Sequence, residues 1–451
     1  MKLARNTFSP VRSLAVLLLA GSLLGANLRA APAPAQVVPD SLDLQTAINF
    51  ALENNFAIRQ AKERIRQQEG VLIETRARQI PNVGANGAYQ VNSRDISQSF
   101  PASDRSWQIN LTATQVLYAG GGVRAAVKAS KLSRDAAILD LQATINDALL
   151  QVRTAFFGVL LAREKIKVQE SNLELLQSQL KTATDRLRAG TVSSFEQLRA
   201  EVAVANARVP LITARNDYRL AIESLRQALG FTTNTPESAT KVPDFVGNLT
   251  YAPTNFDLNA AFSAAHANRP DLQRVAKLLG VREESITTAR SGYFPTVSAF
   301  GGWALRKGQT NTFNDSVDGW LGGIQAQWNV FDGRATAGRV VQARSAAEQA
   351  RLSLTELQLA VDVEVRRAFS QWQEATELVE SSQKVVDQAT EAVRLANARY
   401  AAGTSTQLDV LQAQVDLTTA RTNQIQAFYS YNVSVAALRK AIGQADEFVT
   451  H

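Results

Sequence analysis

The sequence predicts a mixed α and β membrane protein in which one structural unit occurs twice, with two strands and one long helical hairpin in each copy. The first observation is a repeat, because Pro81 returns as Pro295 and Gly190 returns as Gly403 at a nearly constant offset of about 214 residues. The second is a set of four segments of about ten residues with alternating polarity. The third is a pair of runs of about 70 residues that contain no proline and end at a glycine.

Residues 1–35 are predicted to be a secretory signal peptide. Three basic residues and no acid precede an apolar run at 13–26, and small residues suited to cleavage follow near Ala31 and at 33–35. The apolar run is shorter than the about 20 residues that a membrane-spanning helix needs. No comparable run follows it, so a mature protein that spans a membrane must do so with strands. The chain has no cysteine, which excludes disulfides and lipidation at a cysteine.

Charge and composition disfavour nucleic-acid binding and catalysis. The formal net charge is +7, but four of the basic residues lie in the signal peptide, so the mature chain is nearly balanced. Only His266 and His451 are histidines: His451 is the last residue, and His266 has no second histidine or acid at ligand spacing. The sequence contains no glycine-rich phosphate loop, metal-ligand cluster or nucleophile motif. It therefore predicts no enzyme activity, no cofactor, no metal site and no nucleic-acid partner.

Four segments have the period-two pattern of a strand with one apolar face. They lie at 82–92 and 105–118 in the first copy and at 296–306 and 319–331 in the second. Their length is that of a tilted transmembrane strand. The residues of the apolar faces are Val83, Ala85, Gly87, Tyr89, Val91, Trp107, Ile109, Leu111, Ala113, Val297, Ala299, Gly301, Trp303, Leu305, Trp320, Gly322, Ile324, Ala326, Trp328 and Val330.

Large aromatic side chains favour a membrane sheet over a soluble sandwich. Tyr89, Trp107, Trp303, Trp320 and Trp328 all lie in these segments, and amphipathic rings are typical of membrane interfaces. The opposite faces are rich in Asn, Gln, Ser and Thr. A water-filled lumen accepts such side chains, whereas a dry core would leave their amides without partners.

Four strands are too few to close a barrel, for which about eight is the smallest workable number. An open sheet edge in lipid would leave backbone groups unpaired at a cost of several kcal/mol each. The chain must therefore form an oligomer in which each copy supplies four strands. Two copies would give eight strands and three would give twelve, and the periodicity does not choose between them.

Two helical hairpins are predicted at 121–229 and 334–442. In each, a helix of about 70 residues, or about 100 Å, ends at a glycine and is followed by a return helix of roughly half that length. Apolar residues recur at three- and four-residue spacing, as at Leu149, Val152 and Phe156. Long helices with this spacing are typical of coiled-coil packing.

Shorter elements join the hairpins to the strands. Short helices are predicted at 57–79 and 271–292, each stacked on a return helix to match one long helix. Residues 231–256 contain three prolines and are predicted to be an equatorial linker in a collar around the middle of the long helices. The first repeat then covers 36–230 and the second 257–443. Residues 444–451 form a C-terminal tail.

Each hairpin tip has an acidic residue at the start of the return helix. Ser193 is followed by Glu196, and Thr406 by Asp409, which is the spacing of a capping box. A helix cap is one interpretation of these acids. The other is that several copies of Asp409 surround one axis, narrow a pore and favour cations. The two interpretations are compatible.

In its segment order the chain resembles the TolC-like outer-membrane efflux proteins, the outer-membrane factors. The resemblance is carried by the doubled plan, by the strand entry at 293–295 and by the strand exit at 330–333. It is also carried by the tip at 399–404, followed by 408–411. It extends over about 40–443, where the order and duplication of the segments are more specific than any one motif.

The resemblance implies a homotrimer with a twelve-stranded outer-membrane β-barrel, continued by a helical tunnel in the periplasm. It implies that the tips meet a periplasmic adaptor (membrane fusion) protein, which links the duct to an inner-membrane transporter. By the same resemblance, Asp409 lies at the pore constriction, and Glu196 and Tyr400 hold the closed state. The implied adaptor contacts are Arg186, Gly190, Thr191, Arg399, Gly403 and Thr404.

Two positions depart from the family pattern. Ser405 stands where a basic residue is usual, and Gln412 where a second acid is usual. The predicted function is a passive exit duct of a tripartite efflux or type I secretion system. The alternative is a periplasmic or secreted coiled-coil scaffold without a pore, and an envelope enzyme is a third, less favoured interpretation. The sequence does not identify the transported substrate.

Overall fold

The computed structural model describes residues 40–91, 93, 105–231, 242–308 and 313–444. All of these except Val242 belong to one compact unit formed by Asp40–Phe231 and Pro243–His451. The predicted signal peptide, part of the predicted linker and nearly all of the predicted tail lie outside the described residues.

The elements of the first half recur in the second half in the same order. Those of the first half are β1 (Ser41–Leu42), α1 (Leu44–Asn54), α2 (Phe56–Ala77), β2 (Asn82–Val91), β3 (Arg105–Ala119), α3 (Gly122–Arg188) and α4 (Ser194–Leu229). Those of the second half are β4 (Asp244–Phe245), α5 (Leu258–Asn268), α6 (Pro270–Arg290), β5 (Thr296–Lys307), β6 (Ser316–Gln327), α7 (Ala335–Ala401) and α8 (Gln407–Ala441). The bounds of α2, α6 and the two hairpins agree with the predicted segments to within a few residues.

The two long helices, α3 and α7, each contain 67 residues, which corresponds to about 100 Å. The middle of α3 forms one hydrophobic core with α1, α4, β1 and β4, in which Leu149, Val152 and Phe156 are fully buried. The middle of α7 forms a second core with α5, α6 and α8. Burial of these apolar stripes, more than helix propensity, stabilises helices of this length.

By length and mean hydropathy alone, α3 is long and apolar enough to cross a membrane. The sequence predicted no such segment after residue 35. Its core-facing side chains explain the apolar character, because they pack on α1 and α4. Core helices of soluble proteins can be equally long and apolar.

The described part of the linker is fixed to both cores. Phe245 packs in the first core and Phe256 against the second. The guanidinium of Arg163 donates to the carbonyl of Phe245 at 2.6 Å, and the hydroxyl of Tyr431 donates to the carbonyl of Ala252 at 2.7 Å. Helices of both hairpins, α3 and α8, therefore hold this segment.

Each repeat contains the same kind of junction, at which a short helix begins beside the end of a return helix. Asn55 donates to the carbonyl of Ala228 at 2.7 Å, and its repeat equivalent Arg269 donates to the carbonyl of Ala441 at 3.2 Å. A glycine with positive φ ends each return helix. A Cβ at Gly230 would lie 2.6 Å from the carbonyl oxygen of Asn54, so only glycine fits there.

The four long strands form one antiparallel sheet in the order β2-β3-β5-β6. The register pairs Leu111 with both Ala85 and Trp303, and pairs Trp303 with Trp320. Directly paired residues lie on the same face of a sheet. The predicted apolar positions that lie within the four strands therefore share a single face, as the alternation predicted.

The fourth strand differs from its predicted range of 319–331, because β6 begins at Ser316 and ends at Gln327. Gln327 pairs with Thr296, the first residue of β5. Pro295, just before it, has no N–H to continue the ladder. Trp328 and Val330 consequently lie beyond the strand. At the other end, the backbone N–H of Gly308 donates to the carbonyl of Asp315 at 2.8 Å, which extends the pairing.

Candidate functional site: the tips of the two helical hairpins

The tip of the first hairpin is a tight turn between α3 and α4. Gly190 has a φ of +70°, and its N–H donates to the carbonyl of Leu187 at 2.9 Å. The N–H of Thr191 donates to the carbonyl of Arg186 at 3.0 Å. This is the Schellman arrangement that a glycine in the left-handed region allows at the end of a helix.

The tip of the second hairpin repeats this turn between α7 and α8. Gly403 has a φ of +75°, its N–H donates to the carbonyl of Tyr400, and the N–H of Thr404 donates to the carbonyl of Arg399 at 2.9 Å. Five of the six predicted adaptor-contact residues are exposed, and Arg186 is half-buried.

Asp409 caps the return helix of the second tip. Its Oδ2 accepts hydrogen bonds from the Ser405 hydroxyl at 2.7 Å, from the Thr406 N–H at 2.8 Å and from the Thr406 hydroxyl at 2.8 Å. The N–H of Asp409 in turn donates to the Thr406 hydroxyl at 3.4 Å, which completes a capping box. The hydrogen bond from Ser405, followed by those from Thr406, lowers the pKa of Asp409 below its ordinary value.

Glu196 does not cap the first tip, so the capping box predicted there is wrong. The side chain of Ser193 makes no capping hydrogen bond. The carboxylate of Glu196 instead accepts a hydrogen bond from the hydroxyl of Tyr400 at 3.3 Å, between residues 204 positions apart in the chain. The hydrogen-bond partners of Asp409, by contrast, are Ser405 and Thr406 of its own tip.

Tyr400 lies between an acid and a base of the other hairpin. The guanidinium carbon of Arg186 lies over the Tyr400 ring, 4.7 Å from its centre, in a cation–π contact. Burial raises the pKa of Tyr400, and the negative charge of Glu196 raises it further. The phenol therefore stays protonated and can donate to Glu196. The three residues form a polar link between the two hairpins of one chain.

Further from the tips, the two hairpins make contacts that the sequence did not predict. Leu411 of the second hairpin packs against Leu176 and its neighbours in the first. The hydroxyl of Thr418 lies 3.1 Å from the amide oxygen of Asn172, in the other hairpin. Gln414 is 1% exposed, and neither polar atom of its amide has a hydrogen-bond partner among the described residues. Heptad spacing marks these positions as internal, but it gives no sign of which hairpin each one faces.

The two positions that depart from the family pattern have local partners in this chain. The hydroxyl of Ser405 donates to Asp409, as described above. The amide of Gln412 donates to the carboxylate of Asp416 at 3.0 Å, one turn further along α8. Asp409, Gln412 and Asp416 lie at spacings that place them on one side of the helix.

The predicted interface aromatics lie at both ends of the sheet. Tyr89 pairs directly with Trp107, and Trp303 with Trp320, towards the end away from the helices. The indole N–H of Trp328, just after β6, donates to the carbonyl of Tyr293 at the helix end, at 3.1 Å.

His266 is not isolated, in contrast to what its sequence neighbours indicated. Its Nε2 lies 2.7 Å from a carboxylate oxygen of Asp362, which is 96 positions away in the chain. In the described ranges there is no group of three or more His, Cys, Asp or Glu side chains that could hold a metal ion.

Comparison with known proteins agrees with this architecture. The family model described as "Outer membrane efflux protein" matches residues 47–231 and 261–444. Protein CyaE of Bordetella pertussis is 25% identical over 417 residues, covering 92% of this chain and 86% of that protein. The cobalt-zinc-cadmium resistance protein CzcC of Cupriavidus metallidurans is 27% identical over 396 residues, covering 84% and 85%.

A solved structure shows the same fold. The crystal structure of the Campylobacter jejuni CmeC outer membrane channel aligns with a TM-score of 0.78 over 90% of this chain and 87% of that chain, at 17% identity. The predicted fold class, strands of a transmembrane barrel continued by long helical hairpins, is thereby confirmed. The family model matches most of the chain, in both repeats. The chain therefore belongs to the outer membrane efflux protein family.

Proposed function

We propose that this chain is the outer-membrane exit duct of a tripartite efflux or type I secretion system, and that it opens at its helical tips. The observation that carries the proposal is the four-stranded sheet, which has one apolar face and runs directly into two hairpins with helices of about 100 Å. A sheet of this kind suits a membrane wall, and the hairpins suit a conduit beyond it.

The duct is a homotrimer. In the described sheet, β2 and β6 are edge strands. Pairing β2 of one copy with β6 of the next satisfies both edges, and three copies close a wall of twelve strands. The apolar face then meets the lipid bilayer, and the face rich in Asn, Gln, Ser and Thr lines the lumen.

A periplasmic adaptor (membrane fusion) protein binds the exposed tips, and an inner-membrane transporter supplies the energy. Transport through an open duct makes and breaks no covalent bond, so we propose neither catalysis nor a cofactor. The Tyr400–Glu196 link holds the closed state, and separation of the hairpins breaks it. Asp409 lies at the narrowest part of the lumen and favours cations there.

Fractionation and conductance test this proposal together. The expressed protein is expected to sediment with membranes, to need detergent for extraction, and to give discrete ion-conducting steps in a planar bilayer. A coiled-coil scaffold without a pore would stay in the soluble fraction without detergent and would give no steps. That result would overturn the proposal.

Asp409→Asn is expected to lower the cation-over-anion permeability ratio by on the order of twofold, because it removes one negative charge per chain at the constriction. The reversal potential in a salt gradient measures this ratio. Asp217→Asn, an exposed acid on α4 away from the tip, is the matched control and should leave the ratio unchanged. Equal permeability ratios in the wild type and Asp409→Asn would show that Asp409 does not lie at the constriction.

The same measurement has an expected pH dependence. The hydrogen bonds from Ser405 and Thr406 lower the pKa of Asp409, and an unperturbed aspartate has a pKa of about 3.9. The carboxylate therefore remains charged above that pH, and the Asp409-dependent part of the cation preference should be lost only below it. A midpoint at higher pH would contradict this assignment.

Tyr400→Phe is expected to raise the open probability of the isolated duct about fivefold. The substitution removes the donor to Glu196, and a partly exposed hydrogen bond to a charged group contributes about 1 kcal/mol. Single-channel recording measures the effect. Tyr89→Phe, at the far end of the sheet, is the control for loss of a phenol hydroxyl. An unchanged open probability in Tyr400→Phe would show that the link does not hold the closed state.

A further inference from the structure

A groove of about 330 Å³ lies where the sheet meets the helices of the first repeat. Its wall is formed by the end of β3 and by the residues that flank α2 and begin α3. Among the described residues, its lining contains two arginines, Arg78 and Arg124, and no acidic residue. The remaining lining residues are Gln79, Gln115, Val116, Leu117, Tyr118, Ala119, Gly121 and Val123.

The groove lies at the edge of the apolar face. Gln115 pairs with Ala299, and Tyr118 pairs with Val297 after a bulge in β3. Ala299 and Val297 belong to the apolar face of β5, so Gln115 and Tyr118 lie on that face as well. They mark its end nearest the helices, where Leu117 and Tyr118 remain largely exposed. With the apolar face in the bilayer, as proposed above, the groove lies at the depth of the lipid headgroups.

The polar groups of the groove match a phosphodiester headgroup. Two guanidinium groups present paired N–H donors that suit phosphate oxygens. The amide of Gln115 donates to the carbonyl of Val116 at 2.9 Å, while its Oε1 has no hydrogen-bond partner among the described residues. That oxygen is buried, so the two guanidinium groups, and not this amide, carry the recognition of the headgroup. The phenol ring of Tyr118 suits the interface itself.

We propose that this groove binds the headgroup of one glycerophospholipid per chain, with its phosphate on Arg78 and Arg124 and its acyl chains along the apolar face of β2 and β3. The site rests on the proposed function, because it requires the apolar face to lie in the bilayer. It places the bound lipid at the periplasmic boundary of the barrel, where the chain changes from strand to helix. Basic pockets beside membrane-spanning elements bind anionic headgroups in this way.

Native mass spectrometry of the detergent-purified protein with added phosphatidylglycerol tests the site. The wild type is expected to retain one lipid per chain, and Arg78→Gln/Arg124→Gln to retain about tenfold less. Arg59→Gln/Arg208→Gln removes the same charge from exposed helical positions outside the sheet, and it should bind lipid as the wild type does. Equal retention by both double variants would overturn the proposal.

Two further binding measurements identify the ligand. Diacylglycerol, which lacks the phosphate, should not be retained, and millimolar inorganic phosphate should not displace phosphatidylglycerol. Retention of diacylglycerol at the same level, or displacement by phosphate alone, would each overturn a phospholipid site. Bilayer conductance of every variant distinguishes failure of the lipid site from failure of the duct function. A variant that conducts ions but binds no lipid would leave the duct function intact.

Discussion

Arg269→Ala is expected to lower the free energy of unfolding by about 2 kcal/mol, because it removes a buried guanidinium and leaves the partly buried carboxylate of Asp271 without its ion pair. The Arg269 side chain is 7% exposed. It donates to both oxygens of Asp271 at 3.0 and 2.7 Å, to Glu364 at 2.7 Å and to the carbonyl of Ala441. Burial alone would lower the pKa of Arg269, but the hydrogen bonds that it donates to Asp271 and Glu364 outweigh burial and raise the pKa.

The same network joins the two repeats. Lys440 lies 3.2 Å from Glu364 and 3.0 Å from Asp147, which belongs to the long helix of the first repeat. Loss of Arg269 therefore disturbs the junction between repeats as well as the start of α6. Thermal unfolding of the purified protein, at fixed detergent and protein concentration, measures the effect.

Arg351→Ala is the matched control for this substitution. Arg351 pairs with Glu348 at 3.5 Å on an exposed helix surface, where an ion pair contributes about 0–1 kcal/mol. An equal loss of stability in the two variants would show that the buried network is not the cause.

The effect of Arg269→Ala should also depend on pH. Burial acts to raise the pKa of Asp271, but the hydrogen bond and charge of Arg269 lower it overall. A carboxylate with a lowered folded-state pKa stabilises the fold above its unfolded pKa of about 3.9 and loses this effect as the pH falls through the folded value. The difference in stability between the wild type and the variant should therefore shrink below about pH 4. A difference that grows there would contradict the assignment.

Gly302→Ala is expected to prevent the sheet from assembling in most molecules. Gly302 lies in β5 between Thr112 of β3 and Leu321 of β6. A Cβ at this position would overlap the carbonyl oxygen of Leu111 and lie 3.0 Å from the Cα of Thr112. These are backbone atoms in the strand ladder, so relief requires the strands to separate. Overpacking typically costs about 1–3 kcal/mol, and a fixed backbone neighbour places this case at the upper end.

Gly319→Ala is a control within the same sheet. Gly319 pairs with Ala304, and a Cβ there would meet nothing within 4 Å. The measurement is the amount of oligomer that survives detergent electrophoresis after extraction from the outer membrane. Gly319→Ala should match the wild type, whereas Gly302→Ala should give little oligomer. Normal oligomer in Gly302→Ala would show that the sheet tolerates the side chain.

Local pattern was sufficient to predict the elements. Period-two alternation located β2, β3 and β5, and it placed their apolar residues on one face, because alternation is a property of the strand itself. Proline-free runs ending at Gly190 and Gly403 located the long helices, because a glycine with positive φ is a local requirement of the turn. The capping box at Asp409 is equally local, since all of its atoms lie within five residues.

Contacts between distant segments were decided only by the tertiary structure. Glu196 and Asp409 have the same local spacing, yet Glu196 accepts from Tyr400 because the second hairpin brings a phenol beside it. The end of β6 was displaced because Pro295, just before the neighbouring strand β5, cannot continue the ladder. Asn55 and Arg269 are repeat equivalents, but only Arg269 reaches the acids Asp271 and Glu364. Spacing along a chain determines which faces residues share, whereas the partner that each face meets depends on how the segments pack in space.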